Sequence, residues 1–204
     1  MVIVMNNKED LKKSVVYYAS DEQFRDLLKE RKILINENID DWVIDDIVMN
    51  IFKWNKEDKG ITVEERQPIR IYISTLGGAV DCGFSLIDAI KLSKTPVYTI
   101  NIGDEYSMGF LLGLAGHKRY TLPNATFLLH DGSTGVVNSM SKVSDTAKFY
   151  SEMEERIKKY VLDNSKLTSK MYNKKYGNEW YMYPEEAIKY GFVDEIVSDM
   201  DIIL

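Results

Sequence analysis

Short apolar runs alternate with amphipathic segments along most of this chain. The apolar runs are rich in isoleucine and several alternate apolar with polar positions, which is typical of strands in a sheet. The predicted strands cover residues 32–35, 69–74, 97–102 and 125–130, with a short last strand after Gly191. Between them lie stripes at helical spacing, the first formed by Ile44, Ile47, Val48, Ile51 and Phe52. Further helices are predicted over residues 79–93, 107–116 and 184–190.

The order strand, helix, strand predicts βαβ units with parallel pairing, and therefore one α/β domain over residues 1–204. Residues 1–26 form an N-terminal segment of this domain. After a glycine-containing turn, a long helix is predicted over 139–163, within a protruding region at about 134–175. Its apolar stripe comprises Val143, Ala147, Tyr150, Ile157 and Val161. A protruding helix cannot bury such a stripe in its own domain, so we expect a partner surface to cover it; the alternative is that the helix packs on its own core.

Composition narrows the class of protein. The chain has 204 residues, 45% of them hydrophobic, which suffices for one domain with a real core. Its formal net charge of −6 argues against a nucleic-acid binder, which would need a basic patch. The single cysteine, Cys82, cannot form an internal disulfide, and neither a signal peptide nor a membrane-spanning run is recognisable. We therefore expect a cytoplasmic protein that binds neither nucleic acid nor membrane.

Motifs for cofactors are missing from the sequence. It contains no GxGxxG or GxxxxGK[ST] pattern, so nucleotide binding has no support. It contains neither HExxH nor CxxC, so no metal site is indicated. We expect a protein that works without a cofactor.

Ser107 is the first candidate for chemistry, because it follows a predicted strand and opens the apolar segment SMGFLLGLAG. It is either an N-cap of the helix or a nucleophile at a strand-to-helix turn. In the second case the N–H group of Met108, at the helix N-terminus, can donate a hydrogen bond to an oxyanion. Gly77 and Gly78 also stand between a strand and a helix, so Gly78 could supply a second backbone donor, or the pair could serve only a turn.

A serine nucleophile needs a base, and the chain has two histidines. His117 lies in a polar turn and reads as a solvated loop residue. His130 ends a predicted buried strand, where a parallel sheet delivers functional groups, although it could also be a core histidine bonded to the backbone. His130 is therefore the candidate general base, and a carboxylate should orient it.

These residues belong to segments that resemble one known family. ISTLGGAVDCGFSLIDAI and IGDEYSMGFLLGLAGHKRYTLPNATFLLHDG are similar to the nucleophile, glycine-turn and histidine segments of the Clp protease proteolytic subunits. The resemblance runs from LLKERKILINENIDD to PEEAIKYGFVDEI, nearly the whole chain. It implies a ClpP/crotonase-like ββα superhelix of repeated βαβ units, in which the long helix is the protruding handle helix.

The family also implies a function and partners. It implies a serine endopeptidase with Ser107 as nucleophile, His130 as general base, and the N–H groups of Gly78 and Met108 as oxyanion hole. Subunits would stack as two heptameric rings and receive unfolded polypeptides from an AAA+ ATPase, the unfoldase. ATP would then belong to the partner.

The third member of the triad follows from the same resemblance. Matching the family without a gap from EEA backwards places Glu179 where the family has aspartate. Anchoring the match on Pro184 would place Asn178 there, and Asp194 is a further rival. A glutamate can serve, because Ser-His-Glu triads occur in other hydrolases.

Departures from the family pattern leave two alternatives open. Thr75-Leu76 replace Ser-Pro, residues 104–106 (Asp-Glu-Tyr) replace smaller or uncharged residues, and Asp131-Gly132 replace Gln-Pro. These changes favour a divergent member, and one alternative is a catalytically weak or inactive ring subunit with a role in assembly. The other is a crotonase-like acyl-CoA enzyme, which would not need the serine-histidine pair.

Overall fold

The computed structural model describes residues 19–132 and 139–204 of the chain. Seven strands form one sheet in which β1, β2, β3, β4 and β7 follow one another in parallel, as the βαβ prediction requires. Strand β5 pairs in parallel with the last part of β3, and β6 pairs antiparallel with β5. The strands are β1 (Lys32–Ile35), β2 (Ile69–Thr75), β3 (Val97–Tyr106), β4 (Lys118–Thr121), β5 (Thr126–Leu129), β6 (Trp180–Met182) and β7 (Glu195–Ile196).

Helices connect the strands and cover mainly one face of the sheet. Across the described residues they are α1 (Ala19–Lys29), α2 (Met49–Glu57), α3 (Val80–Leu92), α4 (Met108–Gly113), α5 (Met140–Asp163), α6 (Ser169–Lys175) and α7 (Pro184–Tyr190). A π-helical turn (Ile44–Val48) precedes α2. The main core lies between this helical layer and the sheet, and a smaller cluster around Ile100 and Tyr120 covers the opposite face. The fold is therefore α/β, as expected.

The first predicted helical stripe is only partly right. Ile47, Val48 and Ile51 are buried as the spacing predicts, but Phe52 is 56% exposed. The π-helical turn adds a residue to one helical turn, and this shifts the positions that follow it relative to the core.

Strand β3 is longer than the sequence predicts. The apolar run stops before Gly103, yet the strand continues to Tyr106. Residues 98–101 pair with β4, and residues 104–106 pair with β5, so a second partner continues the hydrogen-bonded ladder beyond the glycine. This extension places Ser107 at the end of β3, next to the end of β5.

The long helix α5 confirms the prediction within one residue at its start. Of its apolar stripe, Ile157 and Val161 are buried in the main core, whereas Val143 and Tyr150 are half-buried and Ala147 is exposed. The stripe is thus divided between the domain's own core and an open surface. The glycine-containing turn expected before α5 falls on residues 133–138, outside the described residues, as does the N-terminal segment up to residue 18.

The end of the chain also follows its local signals. Pro184 occupies the start of α7, and Gly191 ends this helix at φ 71°, a left-handed conformation that glycine adopts without strain. Four elements, α1, β4, α6 and β6, were not predicted. The two strands are three or four residues long, too short for the pattern of apolar positions to identify them.

Candidate active site

Ser107 occupies a strained turn between β3 and α4. Its backbone has φ 55° and ψ −118°, a combination that costs a non-glycine residue about 1–3 kcal/mol. Its N–H donates a hydrogen bond of 3.0 Å to the carbonyl of Leu128, which fixes the turn to β5. Ser107 occupies the N-cap position of α4, but its hydroxyl forms no capping bond, so capping does not explain the serine. A strained serine at a strand-to-helix turn is the arrangement of nucleophilic serines in hydrolases.

The glycine turn at Gly77 and Gly78 packs directly against Ser107. A Cβ atom on Gly77 would lie 2.8 Å from the Ser107 Cβ and 3.0 Å from the Met108 nitrogen, so no side chain fits there. Gly77 has φ 106° and Gly78 has φ 151°, conformations that favour glycine. Both the backbone conformation and the space thus require glycine beside the serine.

Ile39, which the sequence did not single out, holds the glycine turn in place. Its N–H donates to the carbonyl of Gly77 at 2.8 Å, and its own carbonyl accepts from the N–H of Ala79 at 2.8 Å. A Cβ on Gly78 would overlap the Ile39 carbonyl. These two bonds leave the Gly78 N–H available as a donor, and the Met108 N–H, first in α4, has no acceptor within the helix. The structure thus brings both predicted donors to the two sides of the Gly77–Ser107 contact.

His130 lies one residue beyond the end of β5, and Ser107 lies one residue beyond the end of β3. Because Tyr106 pairs with Leu128 in the parallel register, the two candidate residues stand at the same edge of neighbouring strands. His130 is half-buried. No hydrogen bond joins the two side chains in the part of the chain that the structure describes. Such bonds are often long in a free enzyme and tighten only when substrate is bound.

Glu179 faces His130 across the antiparallel pair of β5 and β6. Leu129 pairs with Trp180, so the next residues outward, His130 and Glu179, are opposite one another. Glu179 Oε1 lies 3.2 Å from His130 Nδ1, within hydrogen-bonding distance. The Glu179 carboxylate is largely exposed. It also raises the pKa of the Tyr181 phenol. Nothing in the sequence pattern identified Tyr181 as a neighbour of this carboxylate.

The rival carboxylate, Asp194, is engaged elsewhere. Its two oxygens accept hydrogen bonds from the Arg119 guanidinium at 2.6 and 3.2 Å, and from the Arg119 N–H at 2.9 Å. Asn178 is exposed, and its N–H donates to the carbonyl of Lys175. Glu179 is therefore the carboxyl group that the structure places beside His130.

A groove of about 460 Å³ adjoins the glycine turn. Gly78 and Val80 line one wall, and apolar side chains of α5, including Tyr150, Met153 and Ile157, line the other. An extended chain lying in this groove would pass Gly78, whose neighbour Gly77 packs against Ser107. The arrangement can therefore carry out acyl transfer: a hydroxyl at a strained turn, an imidazole with a carboxylate on its Nδ1 side, and two backbone donors. This fold and site define a serine hydrolase.

Comparison with known proteins specifies the class further. Residues 17–200 match the protein family described as Clp protease. The chain is 30% identical over 180 residues to the ATP-dependent Clp protease proteolytic subunit of Streptococcus mutans, covering 86% of this chain and 89% of that protein. The proteins of the same name from Streptococcus suis and Streptococcus uberis are each 29% identical, over 85% and 86% of this chain and 87% and 89% of their own lengths. The chain belongs to the Clp protease family and is a divergent serine peptidase.

Family membership supports the peptidase interpretation over the crotonase-like one.

Among the helices in the described ranges, none is both long and apolar enough to span a bilayer.

Proposed function

We propose that the chain hydrolyses peptide bonds by a serine mechanism at the site built around Ser107. In this mechanism the Ser107 hydroxyl attacks the substrate carbonyl while His130 accepts its proton. The tetrahedral oxyanion is stabilised by the N–H groups of Gly78 and Met108. Collapse of the intermediate expels the amine, to which His130 returns the proton, and water then releases the acyl group by the same steps.

Glu179 has the role of orienting the base. With its carboxylate at the Nδ1 side of His130, the proton of the neutral imidazole is favoured on Nδ1, which leaves Nε2 free to accept the serine proton. The same carboxylate stabilises the imidazolium that forms during attack. The observation that carries the proposal is this register of Glu179 opposite His130, beside a serine whose backbone is strained.

A fluorophosphonate probe tests the proposal, because it labels only activated serines. We expect labelling of the wild-type protein and cleavage of a fluorogenic peptide, both lost in Ser107→Ala. Labelling that persists in this variant would reject Ser107 as the nucleophile.

One observation favours a second candidate, a catalytically weak subunit. The Ser107 and His130 side chains are not hydrogen-bonded in the described structure, and the Glu179 side chain is 58% exposed. A carboxylate in contact with water stabilises an imidazolium less than a buried one. Slow labelling together with peptide turnover near background would support this candidate.

We further propose that the subunit assembles into stacked rings and receives unfolded polypeptides from an AAA+ unfoldase. The relatives are named subunits of an ATP-dependent protease. The exposed apolar residues Met140 and Phe149 on α5, 86% and 58% exposed, offer a surface that assembly would cover. The single cysteine fits a reducing compartment such as the cytoplasm. Native mass spectrometry measures the assembly: two heptamers would give a 14-subunit mass, whereas a stable monomer would contradict the proposal.

A further inference from the structure

Glu105 is a buried acid two residues before the candidate nucleophile. It lies in the last part of β3 and is only 3% exposed. Its carboxyl group forms no hydrogen bond or ion pair with the described residues. A side chain of this type is normally either paired or exposed, because an unpaired carboxylate is costly to bury. Its position therefore requires an explanation that the triad does not provide.

The Glu105 carboxyl group supports the helix that begins at Ser107. Helix α4 lies close to the sheet through two glycines four residues apart, Gly109 and Gly113. A Cβ on Gly109 would lie 2.6 Å from the Thr75 side chain, and a Cβ on Gly113 would overlap the Glu105 carboxyl group. Thr75 and Glu105 are paired in the β2–β3 register, so the two side chains form adjacent supports, one under each end of α4.

The surroundings of Glu105 favour the neutral acid. Burial raises its pKa well above the usual range of a glutamate, and the positive charge of Arg119 on β4 opposes this only in part. The other titratable group that faces it is the Tyr160 phenol of α5, which donates to the carbonyl of Leu111 and is itself held neutral by burial. Helix α4 has no titratable side chain. The two strand partners of Glu105, Thr75 on β2 and Phe127 on β5, are not titratable either.

We propose that Glu105, as a neutral carboxylic acid, is a positioning residue of this peptidase: it sets the height of α4 above the sheet and thereby places Ser107 and the Met108 N–H. Ionisation of Glu105 lifts α4 and disables the site. The inference deepens the proposed function and rests on it, because it assigns to Ser107 and Met108 the roles given above. The residue does not touch substrate and acts only through α4.

The first test measures α4 directly and needs no catalysis. Hydrogen exchange of a peptide covering residues 106–113 is followed by mass spectrometry over a range of pH, with correction for the intrinsic exchange rate. Opening of α4 exposes Glu105 to water, where it ionises above its ordinary pKa of 4.5. With α4 closed, Glu105 keeps a proton that it loses when α4 opens. The closed position of α4 therefore becomes less stable as pH rises from 4.5 to the raised pKa of Glu105, and its stability then levels off. The opening constant of the wild type should rise about tenfold per pH unit in this window.

Glu105→Gln is the decisive variant, because an amide keeps the shape and cannot ionise. We expect its opening constant to stay within about twofold across the same window. Glu64→Gln, at an exposed position in a short 3₁₀ helix (Val63–Glu65), is the matched control and should behave as the wild type. Equal pH dependence in the wild type and Glu105→Gln would overturn the proposal.

A second pair of variants tests the contact between Glu105 and Gly113. In Gly113→Ala, helix α4 should lose protection from hydrogen exchange, because the new methyl group overlaps the Glu105 carboxyl group. In the Glu105→Ala background the same methyl group enters the space that the carboxyl group leaves, so the double variant should regain at least part of the protection. The same loss in both backgrounds would show that the carboxyl group does not support α4.

Kinetics then separates a positioning role from general stability. Glu105→Ala should lower kcat about tenfold with KM within about twofold, because misplacement of the nucleophile affects the chemical step. Glu105→Gln should restore kcat near neutral pH and retain it at alkaline pH, where the wild type declines. If kcat of the wild type and kcat of Glu105→Gln had the same pH profile, the proposal would be overturned. If the wild-type protein shows no Ser107-dependent hydrolysis, the proposed function fails. The hydrogen-exchange data would then still decide whether Glu105 supports α4.

Discussion

Glu179 stands directly opposite His130 at the end of the antiparallel β5–β6 pair, with its Oε1 3.2 Å from the imidazole Nδ1. The pairing of Leu129 with Trp180 determines this relationship, so the backbone of two short strands brings the carboxylate to the base. A glutamate is one methylene longer than an aspartate, and in this geometry it still reaches the imidazole.

Glu179→Gln tests the importance of this contact. The amide keeps the shape but removes the charge, so the imidazolium loses its stabilisation and the preferred tautomer changes. We expect turnover of a fluorogenic peptide to fall at least about 100-fold, with little change in assembly. Glu185→Gln, an exposed acid in the first turn of α7, is the control and should keep its activity. Unchanged turnover in Glu179→Gln would mean that another group, or none, orients His130.

His130→Ala should impair hydrolysis nearly as much as Ser107→Ala. The two residues act as a unit, so the double variant should be scarcely slower than either single variant. The measurement is kcat/KM on one fluorogenic peptide for all three variants. Additive losses in the double variant would indicate independent roles and contradict a shared proton transfer.

Gly77→Ala should abolish turnover, because its Cβ would lie 2.8 Å from the Ser107 Cβ and because alanine is strained at φ 106°. The strain alone costs about 1–2 kcal/mol, and the displaced serine should lower kcat at least about 100-fold. Gly177→Ala provides the matched control, since its Cβ would enter open space. Circular dichroism of both variants establishes whether the fold is kept. Full activity of a folded Gly77→Ala protein would show that the glycine turn does not abut the nucleophile.

A buried ion pair far from the site predicts a pH effect on stability. Arg31 donates two hydrogen bonds, of 2.7 and 2.8 Å, to the carboxylate of Asp58, which is 3% exposed and also accepts from Thr95 at 2.7 Å. The bond from Arg31 lowers the pKa of Asp58, so its contribution to stability is present above the ordinary pKa of 3.8 and lost as pH falls through the lowered value.

Asp58→Asn should therefore lower the free energy of unfolding near neutral pH by about 3 kcal/mol, since it removes the buried carboxylate and leaves Arg31 only the longer pair with Glu57, at 3.8 Å. In acid the wild type loses the same contribution, so the difference between the two proteins should shrink below about pH 4. Urea unfolding of both proteins at several pH values measures this difference in the free energy of unfolding. Asp26→Asn, which removes an exposed pair with Lys29, should change stability by less than about 1 kcal/mol. A constant difference at all pH values would rule out the ion pair as its source.

The sequence by itself determined the order of the longer strands and helices, because each of these carries a local signal; α1, β4, α6 and β6 were not predicted. The apolar period distinguishes β2, β3 and β5 from α3 and α5, Pro184 and Gly191 bound α7, and a glycine pair marks a turn. The candidate roles of Ser107, His130 and Gly78 also rest on local signals, since each lies where a predicted strand ends. Their roles stay predictions until the variants are measured.

Only the tertiary structure decided which ends meet. The period of apolar residues shows which side chains are buried, but it does not show which strand pairs with which. Strand β6 is three residues long and carries no recognisable pattern, yet its pairing with β5 places Glu179 against His130. Likewise, the predicted strand ended at residue 102, before Asp104 and Glu105, whereas β5 continues the ladder and α4 covers Glu105. Pairing partners and burial depend on contacts between residues distant in sequence, and a local pattern does not encode them.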